Sequence, residues 1–148
     1  MNVDSLVSTA DHTPVGLSAR LNALEQAKKY ISPKVEIAEI ITTTMEMDSV
    51  SATDYISNEI KKYDKNYESF CILFGGETTT VVTGNGNGGR NQELALRLLL
   101  SNSLNENIEV LCAGSDGVDG RSEATGAFLD SEILDKIKQA KLNPETYL

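Results

Sequence analysis

The feature that most constrains the fold is a continuous apolar run, FCILF, at residues 70–74. Its length suits a β-strand, and the lack of alternation between apolar and polar residues is typical of a strand buried on both faces. A strand of this kind needs a layer of helices on each side of its sheet. A second apolar segment at residues 109–113 has the same character. The two segments therefore predict the centre of a layered α/β fold.

Helical and strand periodicities alternate along the chain. Apolar residues at helical spacing predict a first helix that Pro33 ends, and a β-branched alternating segment follows it. The residues after position 121 fit either a short helix or a turn, and both remain open. In chain order the predicted elements are a helix at 18–30, a strand at 35–42, a helix from Ser51, strands at 70–74 and 78–83, a helix at 91–100, a strand at 109–113, a helix or turn at 122–129, and a helix capped by Asp130 or Ser131.

Two of these strands are separated only by Gly75, Gly76 and Glu77. So short a break between strands predicts a hairpin, and hence an antiparallel pair. The expected fold is a three-layer α/β/α arrangement with a mixed sheet containing a β-hairpin, formed by residues 1–148 as a single domain.

Composition excludes several classes of protein. The net charge of −9 and the absence of a basic cluster argue against nucleic-acid binding. No apolar run approaches the roughly 18 residues of a membrane helix, so we expect no membrane partner and a cytoplasmic location. Cys71 and Cys112 each lie in an apolar run, so both are expected to be small buried hydrophobes. The single histidine, His12, lies in a polar segment and gives no support to a catalytic pair.

Three polar clusters fall just beyond predicted strand ends, which is where α/β proteins place their sites. They span residues 75–78, 84–93 and 114–120. The candidate binding residues for substrate or phosphate are Gly75, Gly76, Glu77, Thr78, Gly86, Gly88, Gly89, Asn91, Ser115 and Asp119.

The middle cluster, GNGNGGRNQE, has four glycines in six residues. Glycines let successive N–H groups turn toward one point and form an anion-binding nest, and the helix that follows directs its positive end there. Arg90 adds a planar guanidinium suited to carboxylate or phosphate oxygens. The competing interpretation is a solvated flexible loop with a surface arginine.

The same cluster matches the dinucleotide-binding pattern GxGxxG at Gly84, Gly86 and Gly89, with Glu109 about 20 residues further on. The preceding strand is predicted to be a hairpin strand rather than the first strand of a parallel βαβ unit. Arg90 and Asn91 also stand where close helix–strand packing prefers small apolar groups. We therefore expect no redox chemistry from this loop.

The third cluster, GSDGVDG, offers Asp116 and Asp119. Two carboxylates at a strand end can hold Mg²⁺ through waters, or one can act as a base. Asp-Gly pairs are also ordinary turn formers, so a purely structural role is the alternative.

Taken together, the runs GGETTT, GNGNGGRNQELAL and CAGSDGVDGRSEATGAFLD resemble the MOFRL domain of the glycerate kinase family, some members of which are labelled hydroxypyruvate reductase. The resemblance covers about residues 70–148. It implies two α/β domains with an active site between them, and transfer of the γ-phosphoryl group of ATP to D-glycerate with Mg²⁺. It places the family's catalytic arginine on Arg90 and its catalytic aspartate on Asp116, the latter also the candidate metal ligand.

The chain departs from the family pattern in three places. We expect the family's larger N-terminal domain, with its active-site lysine, and its TGPTGTN-like closing segment to be missing from these 148 residues, and residues 42–51 lack the GEA-like element. The expectation is half of an active site, inactive alone, with a separate N-terminal kinase domain as its partner. The alternative is a non-catalytic module that binds a ligand or docks a partner.

Overall fold

The computed structural model describes residues 14–81 and 85–148, and His12 and Gly84 lie outside this part of the chain. Helices and strands alternate in it, as the periodicities predicted. None of the described helices is long and apolar enough to cross a membrane. In chain order the elements are α1 (Pro14–Ile31), β1 (Ile37–Asp48), α2 (Ser49–Asn66), β2 (Phe70–Thr79), α3 (Arg90–Leu100), β3 (Val110–Ala113), β4 (Gly126–Leu129) and α4 (Ser131–Ala140), with short 3-10 turns at Ser32–Lys34 and Pro144–Tyr147.

The parallel pair β1–β2 forms the buried centre. Its register runs from Ile37 opposite Phe70 to Asp48 opposite Thr79. Cys71 and Leu73 pack with α1 on one face. Phe70, Ile72 and Phe74 join the larger core beneath α2 and α3 on the other face. The prediction of a strand covered by helices on both sides is therefore confirmed.

The predicted hairpin across Gly75–Glu77 is wrong, because β2 continues through these residues without a turn. Gly75 and Gly76 are needed for packing instead. A Cβ on Gly75 would lie 2.7 Å from Leu24 Cδ1, and a Cβ on Gly76 would collide with the backbone of Met45. The two glycines thus let helix α1 and strand β1 approach β2 closely.

The antiparallel pair is β3–β4, and it joins residues 110–113 to residues 126–129. The undecided segment after position 121 therefore contributes a strand. Within the described residues the two strand pairs form separate two-stranded sheets, and α3 packs against both of them. The α/β class, with parallel and antiparallel pairing, is confirmed, whereas the grouping of all strands into one sheet is not observed.

Helix α1 buries an arginine together with one of its leucines. Leu17 and Leu21 are 38% and 45% exposed, whereas Arg20 is 1% exposed and lies one turn before the buried Leu24. The Arg20 guanidinium donates to the carbonyl oxygen of Thr43 at 3.0 Å, within the stretch where the β1–β2 register shifts. A buried arginine thus holds an irregular part of β1 that has no regular ladder.

We predict that Gly76→Ala lowers the free energy of unfolding by about 3 kcal/mol. The cause is the collision with Met45 together with the Gly76 φ of +156°. Urea unfolding followed by circular dichroism measures the change. Gly86→Ala is the matched control, because nothing lies within 4 Å of a Cβ at that position. Equal stability of the two variants would contradict this packing argument.

Candidate functional site

A cleft lies at the carboxyl end of β2, an edge where open parallel sheets place their ligands. Its volume is about 960 Å³. The end of β2, the glycine loop before α3, the first turns of α3 and the turn at Gly120 all contribute to it. The residues lining it are Glu77, Thr78, Thr79, Thr80, Val81, Gly86, Asn87, Gly88, Gly89, Arg90, Gln92, Glu93, Leu96, Gly120, Arg121, Thr146, Tyr147 and Leu148.

A shallower depression of about 540 Å³ lies at the other end of the sheet, where β1 and β2 begin. Glu36 and residues 65–69 line it, and none of the sequence-predicted site residues is among them.

An ion pair joins the first and second polar clusters inside the cleft. Arg90 NH1 lies 2.9 Å from Glu77 Oε1, with both side chains between a quarter and a third exposed. Arg90 is the first residue of α3 and Glu77 lies near the end of β2. The Nε atom of Arg90 is buried and has no hydrogen-bond partner among the described residues. The guanidinium therefore keeps one donor unused beside the cleft.

The carboxylate of Asp119 caps the positive end of α3. Its Oδ1 accepts from the backbone N–H and the side-chain amide of Asn91, both at 3.1 Å. Its Oδ2 accepts from the backbone N–H of Gln92 at 2.8 Å and from the Gln92 side-chain amide at 3.1 Å. Asp119 is 1% exposed. Since a carboxylate has about four lone-pair sites, these four bonds leave it little capacity for a ligand.

The cap changes the interpretation of the helix end. The N–H groups predicted to hold an external anion at the first turn of α3 already bind Asp119. The hairpin argument against dinucleotide binding fails, because β2 is parallel to β1. A different observation argues against dinucleotide binding: the carboxylate of Asp119 occupies the helix N-terminus, where a bound pyrophosphate would lie.

The second and third clusters touch directly. A Cβ on Gly89 would collide with Asp119, and a Cβ on Gly120 would collide with the carbonyl of Gly88. Gly120 also has a φ of +63°, which favours glycine. The same Gly88 carbonyl accepts from the backbone N–H of Arg121 at 3.1 Å. The glycine loop is therefore seated on the 119–121 turn.

Helix α2 contacts the start of α3 through a hydrogen bond between Ser49 of α2 and Glu93 of α3. The Ser49 hydroxyl donates to Glu93 Oε1 at 2.7 Å, and Arg97 Nε donates to the same oxygen at 2.8 Å. Asp48 caps α2 by accepting from the N–H groups of Val50 and Ser51. Hydrogen bonds from the hydroxyl and N–H of Ser51 hold the pKa of Asp48 below its usual range. These contacts tie the starts of α2 and α3 together.

Ser115 and Asp116 are exposed in the turn after β3, and neither lines the cleft that contains Arg90. Asp116 Oδ1 accepts from the N–H of Val118 at 3.3 Å and lies 2.7 Å from where a Cβ on Gly114 would be. A Cβ at Gly114 would also lie 3.5 Å from Asn91 Nδ2. Asp116 thus lies near Asn91, at the same end of α3, but the structure does not place it in one cavity with Arg90.

Among the described residues, the cysteines are buried and the acidic side chains are not grouped to hold a metal ion. Burial raises the pKa of Cys112 to about 12, with a further contribution from the charge of Asp119. Cys71 and Cys112 are both buried, as predicted. Within the described residues no group of three or more His, Cys, Asp or Glu side chains is placed to hold a metal ion.

Of the residues predicted to bind, the cleft brings together Glu77, Thr78, Gly86, Gly88 and Gly89, along with Arg90. Gly75 and Gly76 instead serve strand and helix packing, as described above. Three residues around the site were not among the predicted binding residues. They are Ser49, Gln92 and Arg121. Gln92 carried a usable signal, since it lies in the RNQE run.

Comparison with known proteins now decides the family. The model of the MOFRL family matches residues 70–148, which is more than half of the chain. The chain belongs to the MOFRL family. The matched segment begins with β2 and includes all three polar clusters.

Relatives of this MOFRL chain are named as glycerate kinases. The D-glycerate 2-kinase of Thermotoga maritima is 36% identical over 128 residues, which cover 84% of this chain and 31% of the relative. The glycerate 2-kinase of Picrophilus torridus is 44% identical over 86 residues, or 57% of this chain and 21% of the relative. The crystal structure of glycerate kinase from Thermotoga maritima aligns with a TM-score of 0.72 at 33% identity, over 87% of this chain and 32% of that one. The chain thus spans about a third of the Thermotoga maritima relative and carries a glycerate kinase family domain.

We predict that Asp119→Asn lowers the free energy of unfolding by about 2–3 kcal/mol. An amide would turn an NH₂ group toward donors on Asn91 or Gln92, which now face a carboxylate oxygen. Asp116→Asn is the matched control, because that side chain is exposed and should change stability by less than about 0.5 kcal/mol. Urea unfolding of both variants is the measurement, and equal losses would show that the cap is unimportant.

Proposed function

We propose that the cleft beside Arg90 is one half of the active site of an ATP-dependent glycerate 2-kinase. The observation that carries this proposal is the convergence of β2, the glycine loop and α3 on one cleft, in a chain whose relatives are named glycerate kinases. In the complete enzyme the γ-phosphoryl group of ATP passes to D-glycerate.

Arg90 is proposed as the catalytic cation. Phosphoryl transfer depends mainly on positioning and on stabilising the charge of the transferred group. Glu77 holds the guanidinium at 2.9 Å, which fixes its direction, and the Arg90 side chain stays one-third exposed in the cleft. A planar fork of donors matches phosphate or carboxylate oxygens better than a point charge does. Gly86, Gly88 and Gly89 allow the backbone to approach the same group.

Asp116 is proposed as the second catalytic residue, either taking the proton of the attacking hydroxyl or binding Mg²⁺. A single exposed carboxylate fits a magnesium ion that is otherwise held by nucleotide phosphates and waters. Such an ion would neutralise charge on the phosphates. Asp116 and Arg90 do not share a cavity here, so the opposing part of the enzyme would have to bring the reacting groups between them.

The chain alone is proposed to be inactive, with glycerate and a separate N-terminal kinase domain as its partners. It spans about a third of the length of the Thermotoga maritima relative. The described cleft offers cations from one side only, and phosphoryl transfer needs stabilisation from several directions with water excluded. Asp119 is proposed to position α3 rather than to touch substrate.

The second candidate is a module that binds an anionic ligand without catalysis. The exposure of Asp116 outside the cleft favours it, because the two residues proposed for chemistry are not held around one reacting atom. Kinase activity of a completed enzyme distinguishes the two candidates.

We expect a chimera, in which this chain replaces the matching third of the Thermotoga maritima enzyme, to phosphorylate D-glycerate with release of ADP. Arg90→Lys in the chimera should lower kcat/KM by about 100-fold, because lysine cannot present two donors in one plane. A coupled ADP assay measures both.

The isolated chain, with Asp116→Asn as its control, should show no turnover in the same assay. Robust turnover by the isolated chain that disappears in the control would contradict the half-site proposal. A folded chimera without activity would instead favour the non-catalytic module.

A further inference from the structure

The cleft contains a second arginine, to which neither the analysis of the polar clusters nor the family resemblance gave a role. Arg121 follows the GSDGVDG cluster and lines the same cleft as Arg90 and the glycine loop. Its side chain is exposed. An exposed arginine is usually only solvated, so its placement and its neighbours decide whether it has a role.

The backbone of Arg121 is anchored rather than free. Its N–H donates to the Gly88 carbonyl at 3.1 Å, and the turn closes with Ser122 N–H donating to the Asp119 carbonyl at 3.3 Å. Asp119 is itself fixed to the start of α3 by four hydrogen bonds. The Cα of Arg121 therefore keeps a fixed position beside the glycine loop and the start of α3.

The charges in the cleft point to Arg121 as its uncompensated cation. Glu77 pairs with Arg90, and Glu93 pairs with Arg97. Among the ion pairs of the described residues, none includes Arg121. In a chain of net charge −9, an unpaired guanidinium in this cleft supplies a local positive field.

We infer that Arg121 is a second anion-binding residue of the cleft, in addition to Arg90, and contacts a phosphate or carboxylate group of the ligand. A guanidinium suits both kinds of group. This inference rests on the proposed function for the identity of the ligand, but the contact itself rests on the geometry of the cleft. Two guanidinium groups that line one cleft would hold an extended anion at two points.

The test is isothermal titration calorimetry of the 148-residue chain with inorganic triphosphate, ATP and D-glycerate, each at low and at physiological salt. Arg121→Gln should weaken binding by about fivefold to tenfold, and Arg121→Lys by less, because a charge without the planar fork remains. The affinity of Arg121→Gln should also depend less on salt concentration than that of the wild type, since an exposed charge is screened by salt. Lys61→Gln removes the same charge from an exposed position on α2, away from the cleft, and should bind as the wild type does.

The probes distinguish the sources of the anion. Weakened triphosphate and ATP binding assigns Arg121 to phosphate, and weakened D-glycerate binding assigns it to the carboxylate. Wild-type affinity of Arg121→Gln for every probe would overturn the inference, and so would a wild-type chain that binds none of them. If Arg90→Lys weakens binding while Arg121→Gln does not, the inference fails and the proposed function stands.

Discussion

The structure of the site depends on one buried carboxylate at the start of a helix. Asp119 neutralises the positive end of α3 and joins the turn after β3 to Asn91 and Gln92. Because the glycine loop is packed on the Asp119–Gly120 backbone, the same contact positions that loop. The N–H groups of Asn91 and Gln92 are therefore already bound within the protein. The residue of α3 that faces the cleft at its first position is Arg90, which pairs with Glu77.

Much of the fold followed from the sequence, because burial on both faces leaves a clear mark in a strand such as FCILF. The hairpin was wrong because Gly75 and Gly76 were taken as a break in the chain. Glycine marks a turn and a close contact equally well, and only the position of Met45 in the neighbouring strand distinguishes the two. The burial of Arg20 in α1 could not be predicted, because the apolar pattern gives no signal that a charged residue lies inside.

The site was predictable where its residues are close in sequence and uncertain where the contacts are distant. Three glycine-rich clusters at strand ends indicated the cleft, and the ion pair between Glu77 and Arg90 joins two of them. The spacing of Asp116 and Asp119 in the sequence could not show which carboxylate would cap α3 and which would be exposed. Both follow the same strand, yet one is exposed and the other is buried against α3, because only the tertiary fold determines which carboxylate meets the helix. Arg121 lacked a signal because a single charged residue after a loop is ordinary.

The central claim is that an anionic ligand enters the cleft beside Arg90 and leaves the internal cap intact. Proton–nitrogen NMR correlation spectra of the chain, recorded during titration with ATP and with D-glycerate, test it most directly. The account predicts the largest shifts at the Arg90 Nε–H and at the amides of residues 86–89, while the amides of Asn91 and Gln92 stay protected from hydrogen exchange by Asp119. Shifts centred on residues 65–69 at the opposite end of the sheet, or no shift at saturating ligand, would contradict it.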